Sequence, residues 1–99
     1  MTIYAVVQVK INNREAYDRY SDGFMGVFEK FEGTILAADF APKVIEGSWD
    51  KDRIVLMSFP SEKAFMAWVS SDEYREIVKY RNEGADITAL LAKGIEAPQ

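Results

Sequence analysis

At 99 residues the chain has room for one domain with a modest core. Its composition, 48% hydrophobic and 28% charged, is that of a globular protein, and a net charge of −4 argues against a general binder of nucleic acid or anionic membrane. The absence of cysteine and histidine excludes disulfides, thiolate nucleophiles, zinc–thiolate sites, a proximal haem histidine and a Ser–His–Asp triad.

Any catalysis is therefore left to Asp, Glu, Tyr, Lys and Arg, or to the reactivity of the substrate itself. A carboxylate-only metal site is compatible with the composition, but no EF-hand-like loop is present, and no metal and no cofactor are expected. An aromatic content of 13% hints at a lined cavity or a self-association surface. No apolar run approaches the ~20 residues of a membrane span. The N-terminus, MTIYAVVQVKI, enters a strand pattern without a basic leader region or cleavage site, and a cytoplasmic location is expected from it.

Residues Ile3–Ile11 alternate as a strand does: Ile3, Ala5, Val7, Val9 and Ile11 on one face, Tyr4, Val6, Gln8 and Lys10 on the other. Asn12 followed by Glu15 predicts a capped helix start. Tyr17, Tyr20, Phe24, Val27, Phe28 and Phe31 then recur at helical spacing, an aromatic stripe that reads as core. Gly23 and Gly26 within it allow either a close backbone approach or a kink, and Gly33 is placed to end the helix.

A second strand is predicted over Thr34–Phe40, with Ile35–Leu36–Ala37–Ala38 suited to burial on both faces. Asp39, near its end, is either a turn residue or a pocket carboxylate. Pro42 breaks the strand, and Val44–Gly47 reads as a short extension. The polar loop Ser48–Asp52 carries Trp49, which suggests a cap over a pocket or a subunit contact.

The central stretch is Glu46–Arg81. Arg53–Phe59 predicts a third strand, and Pro60–Ser61 ends it and caps a helix bearing Ala64, Phe65, Trp68 and Val69 on one face. Ser71 or Asp72 starts another helix with an acidic first turn, as the helix dipole prefers. On it Tyr74, Ile77, Val78 and Arg81 form one stripe. A guanidinium on an apolar stripe is costly to bury unpaired. Arg81 either snorkels or meets a structural carboxylate such as Asp86, or reaches a pocket and holds an anion. Gly84 closes this helix, Ile87–Lys93 reads as the last strand, and Gly94–Gln99 is a tail, so residues 1–99 form one domain.

The order is βαββαβ, the split-βαβ arrangement: an α+β, ferredoxin-like fold with a four-stranded antiparallel sheet and both helices on one face. The other face carries Tyr4, Val6 and apolar strand positions. Burying it calls for a second copy, hence a homodimer.

The string Glu46–Gly47–x–Trp49, then Arg53, Phe59–Pro60–Ser61, Ala64, Trp68, Ser71, Tyr74 and Arg81 resembles the domain-of-unknown-function family number 1330, over about Tyr4 to Gly94. The resemblance implies membership of the dimeric α/β-barrel superfamily. That superfamily includes cofactor-free monooxygenases, haem-degrading enzymes, lactone isomerases, dye-decolourising peroxidases and sensor domains. Lack of histidine argues against haem degradation and against isomerases with a histidine base. The cofactor-free monooxygenases work with Trp, Tyr, Asn and Arg near a bound phenol. Trp68, Tyr74 and Arg81 offer comparable groups, with no Asn at a matching position.

Two functions are compatible with these residues. One is a cofactor-independent enzyme for a small aromatic or acidic molecule, with Asp39 as base, Tyr74 and Arg81 as catalytic partners, and Trp49, Arg53 and Trp68 binding the ligand. The other is a non-catalytic small-molecule-binding or accessory dimeric module that uses the same pocket.

Overall fold

The computed structural model describes residues 1–95. Its elements are β1 (Ile3–Ile11), α1 (Arg14–Phe28), β2 (Thr34–Asp39), β3 (Arg53–Phe59), α2 (Glu62–Val69), α3 (Asp72–Gly84) and β4 (Ala85–Lys93). The strands form one antiparallel sheet in the order β2-β3-β1-β4. This is the expected α+β, ferredoxin-like arrangement. The helices cover one face; Ala5, Val9, Met57 and Phe59 meet them from the sheet, and Tyr17, Phe28, Trp68 and Tyr74 close the core from above. Among the described residues no helix is long and apolar enough to cross a membrane.

Each helix starts where a side-chain oxygen can take an orphan amide. Asn13, rather than Asn12, caps α1 by accepting from the Ala16 amide at 3.3 Å. The reason lies at the far end of α3: the Gly84 carbonyl accepts the amides of both Asn12 and Asn13, which fixes the chain one residue later. Ser61 caps α2 and Ser71 caps α3. A Cβ at Gly84 would lie 2.5 Å from the Tyr17 amide nitrogen, so a glycine is required where α3 closes against α1. Gly23 faces Ile77 of α3 and serves close approach of the two helices.

Several expectations are corrected. α1 ends at Phe28, with Glu29 at its C-cap, and residues 29–32 turn before the sheet. Gly33 lacks the positive φ of a left-handed cap. It is needed because a Cβ there would sit 2.6 Å from Phe59 Cε1. β2 is an edge strand, largely exposed and not buried on both faces, and it carries a bulge between Ile35 and Ala37. It stops at Asp39, and residues 44–47 form no strand. β4 begins at Ala85. The tail expected from Gly94 onward falls, from residue 96, outside the described residues.

The second sheet face is uncovered. Register places Val6 between Leu56 and Leu90, Gln8 between Ile54 and Thr88, and Tyr4 between Ser58 and Ala92. Leu90 is 55% and Tyr4 40% exposed. Trp49 crosses this face and donates its Nε1 to Gln8 Oε1 at 3.0 Å.

Candidate functional site

A cavity of about 490 Å³ lies between the helix layer and the sheet. Its origin is a mismatch of side-chain size. The sheet contributes small residues, Ala5, Val7, Val9, Ala38 and Ala89, while the helices contribute Tyr17, Tyr20, Phe24 and Trp68, which hold the layers apart. The volume falls in the range of small-molecule sites.

The walls are apolar except for Ser21 and one set of hydrogen-bonded groups. Arg53 Nη1 donates to the Tyr17 hydroxyl at 3.0 Å. Arg81 Nη1 donates to the Tyr74 hydroxyl at 3.3 Å, and that hydroxyl shares a 3.0 Å hydrogen bond with Tyr20. Arg81 also reaches Asn82 Oδ1. Among the described residues neither guanidinium meets a carboxylate. The Arg81–Asp86 and Arg53–Asp39 pairs do not form. The Arg53 guanidinium instead stacks on Phe40, 4.5 Å from the ring centroid, and its Nε is buried without a partner among the described residues.

Among the described residues no Asp, Glu or Lys lines the cavity. Burial, reinforced by the neighbouring Tyr74, pushes the Tyr20 phenol far above its ordinary 10.0; the Arg81 charge pulls weakly the other way. Tyr20 therefore stays a hydrogen-bond donor at any physiological pH. Because its proton is held more tightly in the folded chain, the associated stability is complete below about pH 10 and is lost as pH rises beyond that.

Of the residues singled out from sequence, Arg53, Trp68, Tyr74 and Arg81 come together at this cavity. Trp68 is 2% exposed and forms an aromatic wall, with Phe24, Phe28 and Phe65 edge-to-face against it. Its Nε1 is buried with no hydrogen-bond partner among the described residues. Asp39 does not join them. It pairs with Ile54, on the uncovered face, and its Oδ1 accepts the Ala41 amide at 2.8 Å, which makes it a turn residue and removes it as a pocket base. Trp49 does not cap the cavity either: its bond to Gln8 holds it on the opposite side of the sheet.

Sequence reasoning missed Tyr17 and Tyr20, which it placed in the core stripe. The signal was present in the stripe itself, which runs Tyr17, Tyr20, then Phe24, Phe28 and Phe31. Its hydroxyls are all at one end, where the arginines are. Among the described residues no three carboxylates come together to hold a metal ion.

Residues 2–95 match the family described as Domain of unknown function (DUF1330). No curated protein matches the chain. Among solved structures, a protein of unknown function from Rhodopseudomonas palustris is similar at 22% identity and a TM-score of 0.82, covering 97% of this chain and 84% of that one. SnoaB, a cofactor-independent oxygenase from Streptomyces nogalater, is similar at 8% identity and a TM-score of 0.68, covering 97% and 95%. A dimeric protein of unknown function with a ferredoxin-like fold from Bacteroides fragilis has 9% identity and a TM-score of 0.68, covering 94% and 96%. Likeness at these identities concerns the fold.

Proposed function

The chain belongs to the DUF1330 family, and we propose that its cavity binds a small organic acid with a flat or elongated apolar body. One observation carries this reading: two arginines with no carboxylate partner among the described residues line a largely apolar cavity. A guanidinium that finds no anion in its own chain is set to take one from a ligand. The aromatic walls supply the rest of the contact. Arg53, Tyr74 and Arg81 hold the acidic group, and Trp68 packs against the body. The two guanidiniums make the site rich in donors, so it favours acceptors, and among the described residues no carboxylate or amine lines it to remove a proton.

This reading makes the protein a ligand-binding module. It acts as a single domain of residues 1–99 in the cytoplasm, with no cofactor and without nucleic acid or membrane as partner; the net charge of −4 supports the last point. It also acts as a homodimer through the uncovered sheet face, where Tyr4, Val6, Ile54, Leu56 and Leu90 lie together. The dimeric Bacteroides fragilis neighbour supports this. Sedimentation equilibrium is expected to give twice the 11.3 kDa of the chain. A monomer at every concentration would overturn the dimer.

The binding test is a thermal shift of wild type and Arg81→Ala against small aromatic carboxylates and phenols. A ligand at 100 times its Kd stabilises the folded state by ~2.7 kcal/mol. Aromatic acids are expected to raise the Tm of wild type and to leave folded Arg81→Ala unmoved. Equal shifts in both proteins, or none in either, would sink the reading, and a large stability loss in Arg81→Ala alone would make Arg81 a structural residue.

A second reading, chemistry on the bound molecule, is favoured by the same donors. Tyr20, Tyr74, Arg53 and Arg81 would stabilise a phenolate or enolate oxygen. The likeness to SnoaB, a cofactor-independent oxygenase, points the same way. With no base in the cavity, such a substrate must ionise by its own acidity. Oxygen uptake on adding an acid or phenol that binds would decide for this reading.

A further inference from the structure

The hydroxyl protons of the cavity do not balance. Tyr17, Tyr20 and Tyr74 line it and are 2%, 7% and 4% exposed. The Tyr17 oxygen accepts from Arg53, and its own O–H has no acceptor among the described residues. Tyr20 and Tyr74 share one hydrogen bond, and the Tyr74 oxygen also accepts from Arg81. Whichever phenol donates within that pair, one O–H is left over. An oxygen that accepts from a cation becomes the stronger donor. The favoured order is therefore Arg81 to Tyr74 to Tyr20, and the spare proton is that of Tyr20.

Two relays of the same build result. Each starts at a guanidinium with no carboxylate partner among the described residues and ends at a phenol O–H. The two ends are neighbours. Tyr17 and Tyr20 stand three residues apart on one face of α1, with ring centroids 5.9 Å apart. Their hydroxyls do not bond to each other. A buried donor without an acceptor is costly, and here two adjacent rings carry one each, with a positive charge behind both. One acceptor group with two oxygens satisfies the pair.

We infer that a carboxylate bridges Tyr17 and Tyr20, one oxygen to each hydroxyl, and that these two tyrosines decide which head group the cavity accepts. This rests on the organic-acid reading and narrows it. The ligand is a carboxylate that uses both oxygens, rather than a molecule whose head has a single acceptor oxygen.

The test is calorimetric titration of the full chain with benzoate, cinnamate and 2-naphthoate, and with the primary amide of each. Wild type, Tyr17→Phe, Tyr20→Phe and the double variant are compared. Wild type is expected to bind the carboxylates at least about tenfold more tightly than the amides, whose nitrogen brings further donors to a site already rich in them. Each single variant is expected to lose about tenfold in carboxylate affinity, and the double variant about a hundredfold. Carboxylate binding that is weaker but still measurable shows that a variant is folded. Full carboxylate affinity in either single variant, or amides bound by wild type as tightly as their acids, would overturn the bridge while leaving the organic-acid reading intact. If no carboxylate binds wild type, both fall.

Discussion

Trp68→Ala is expected to lower stability by about 3–5 kcal/mol, the range for removing a large buried aromatic side chain. A domain of this size has on the order of 5–15 kcal/mol in all, so the variant would be close to unfolding at 37 °C. The reason is position. The indole is 2% exposed and lies against the rings of Phe24, Phe28, Phe59, Phe65 and Tyr74, with centroids 4.5 to 5.9 Å away. These rings belong to α1, β3, α2 and α3, so one side chain joins three helices to the sheet. Truncation also opens its space into the adjoining cavity, so the surroundings have little to collapse onto. Urea unfolding followed by circular dichroism measures the loss. A change under about 1 kcal/mol would show that the core does not depend on this residue.

The fold was legible because its signals are periodic. The alternation of Ile3–Ile11, the capping serines at 61 and 71 and the stripe of α3 are local patterns, and the structure realises each of them. What local pattern could not supply was position within the sheet. Ile35–Leu36–Ala37–Ala38 has the composition of a central strand, yet β2 lies at the edge, and only tertiary pairing decides that. Phe31 continues the stripe of α1, but the chain has already turned at Glu29.

The site shows the same division. Tyr74 and Arg81, two helical turns apart, share a face by helix geometry alone, and both reach the cavity. Asp39 illustrates the opposite case. Strict alternation from Ile35 would place it on the helix-covered side with Ile35. The bulge between Ile35 and Ala37 inserts one residue, and every later side chain changes face. A bulge of one residue is invisible to a period-two reading, and it removed the carboxylate base from the site. Arg53 and Tyr17 meet across 36 residues, a pairing that no sequence spacing announces.

The double variant Arg53→Met with Arg81→Met separates holding the fold from holding a ligand. Both guanidiniums are half-buried, lack a carboxylate among the described residues and border an apolar space. A charge so placed is costly in the free protein, because the phenols return only part of the hydration it gives up. Methionine keeps the length of the stem and its packing. The phenols it leaves behind face a cavity that water can enter, so their lost hydrogen bonds are replaced. The variant is therefore expected to be more stable than wild type by about 1 kcal/mol, a rise in Tm of ~4–8 °C for a domain of this size. It is also expected to lose any acid-induced thermal shift. Opposite signs for stability and binding are what a binding site predicts, since its charges are kept for the ligand and not for the fold. A fall in Tm of similar size would mean that Arg53 and Arg81 hold the helices to the sheet through Tyr17 and Tyr74. The cavity would then be an unfilled gap in the packing.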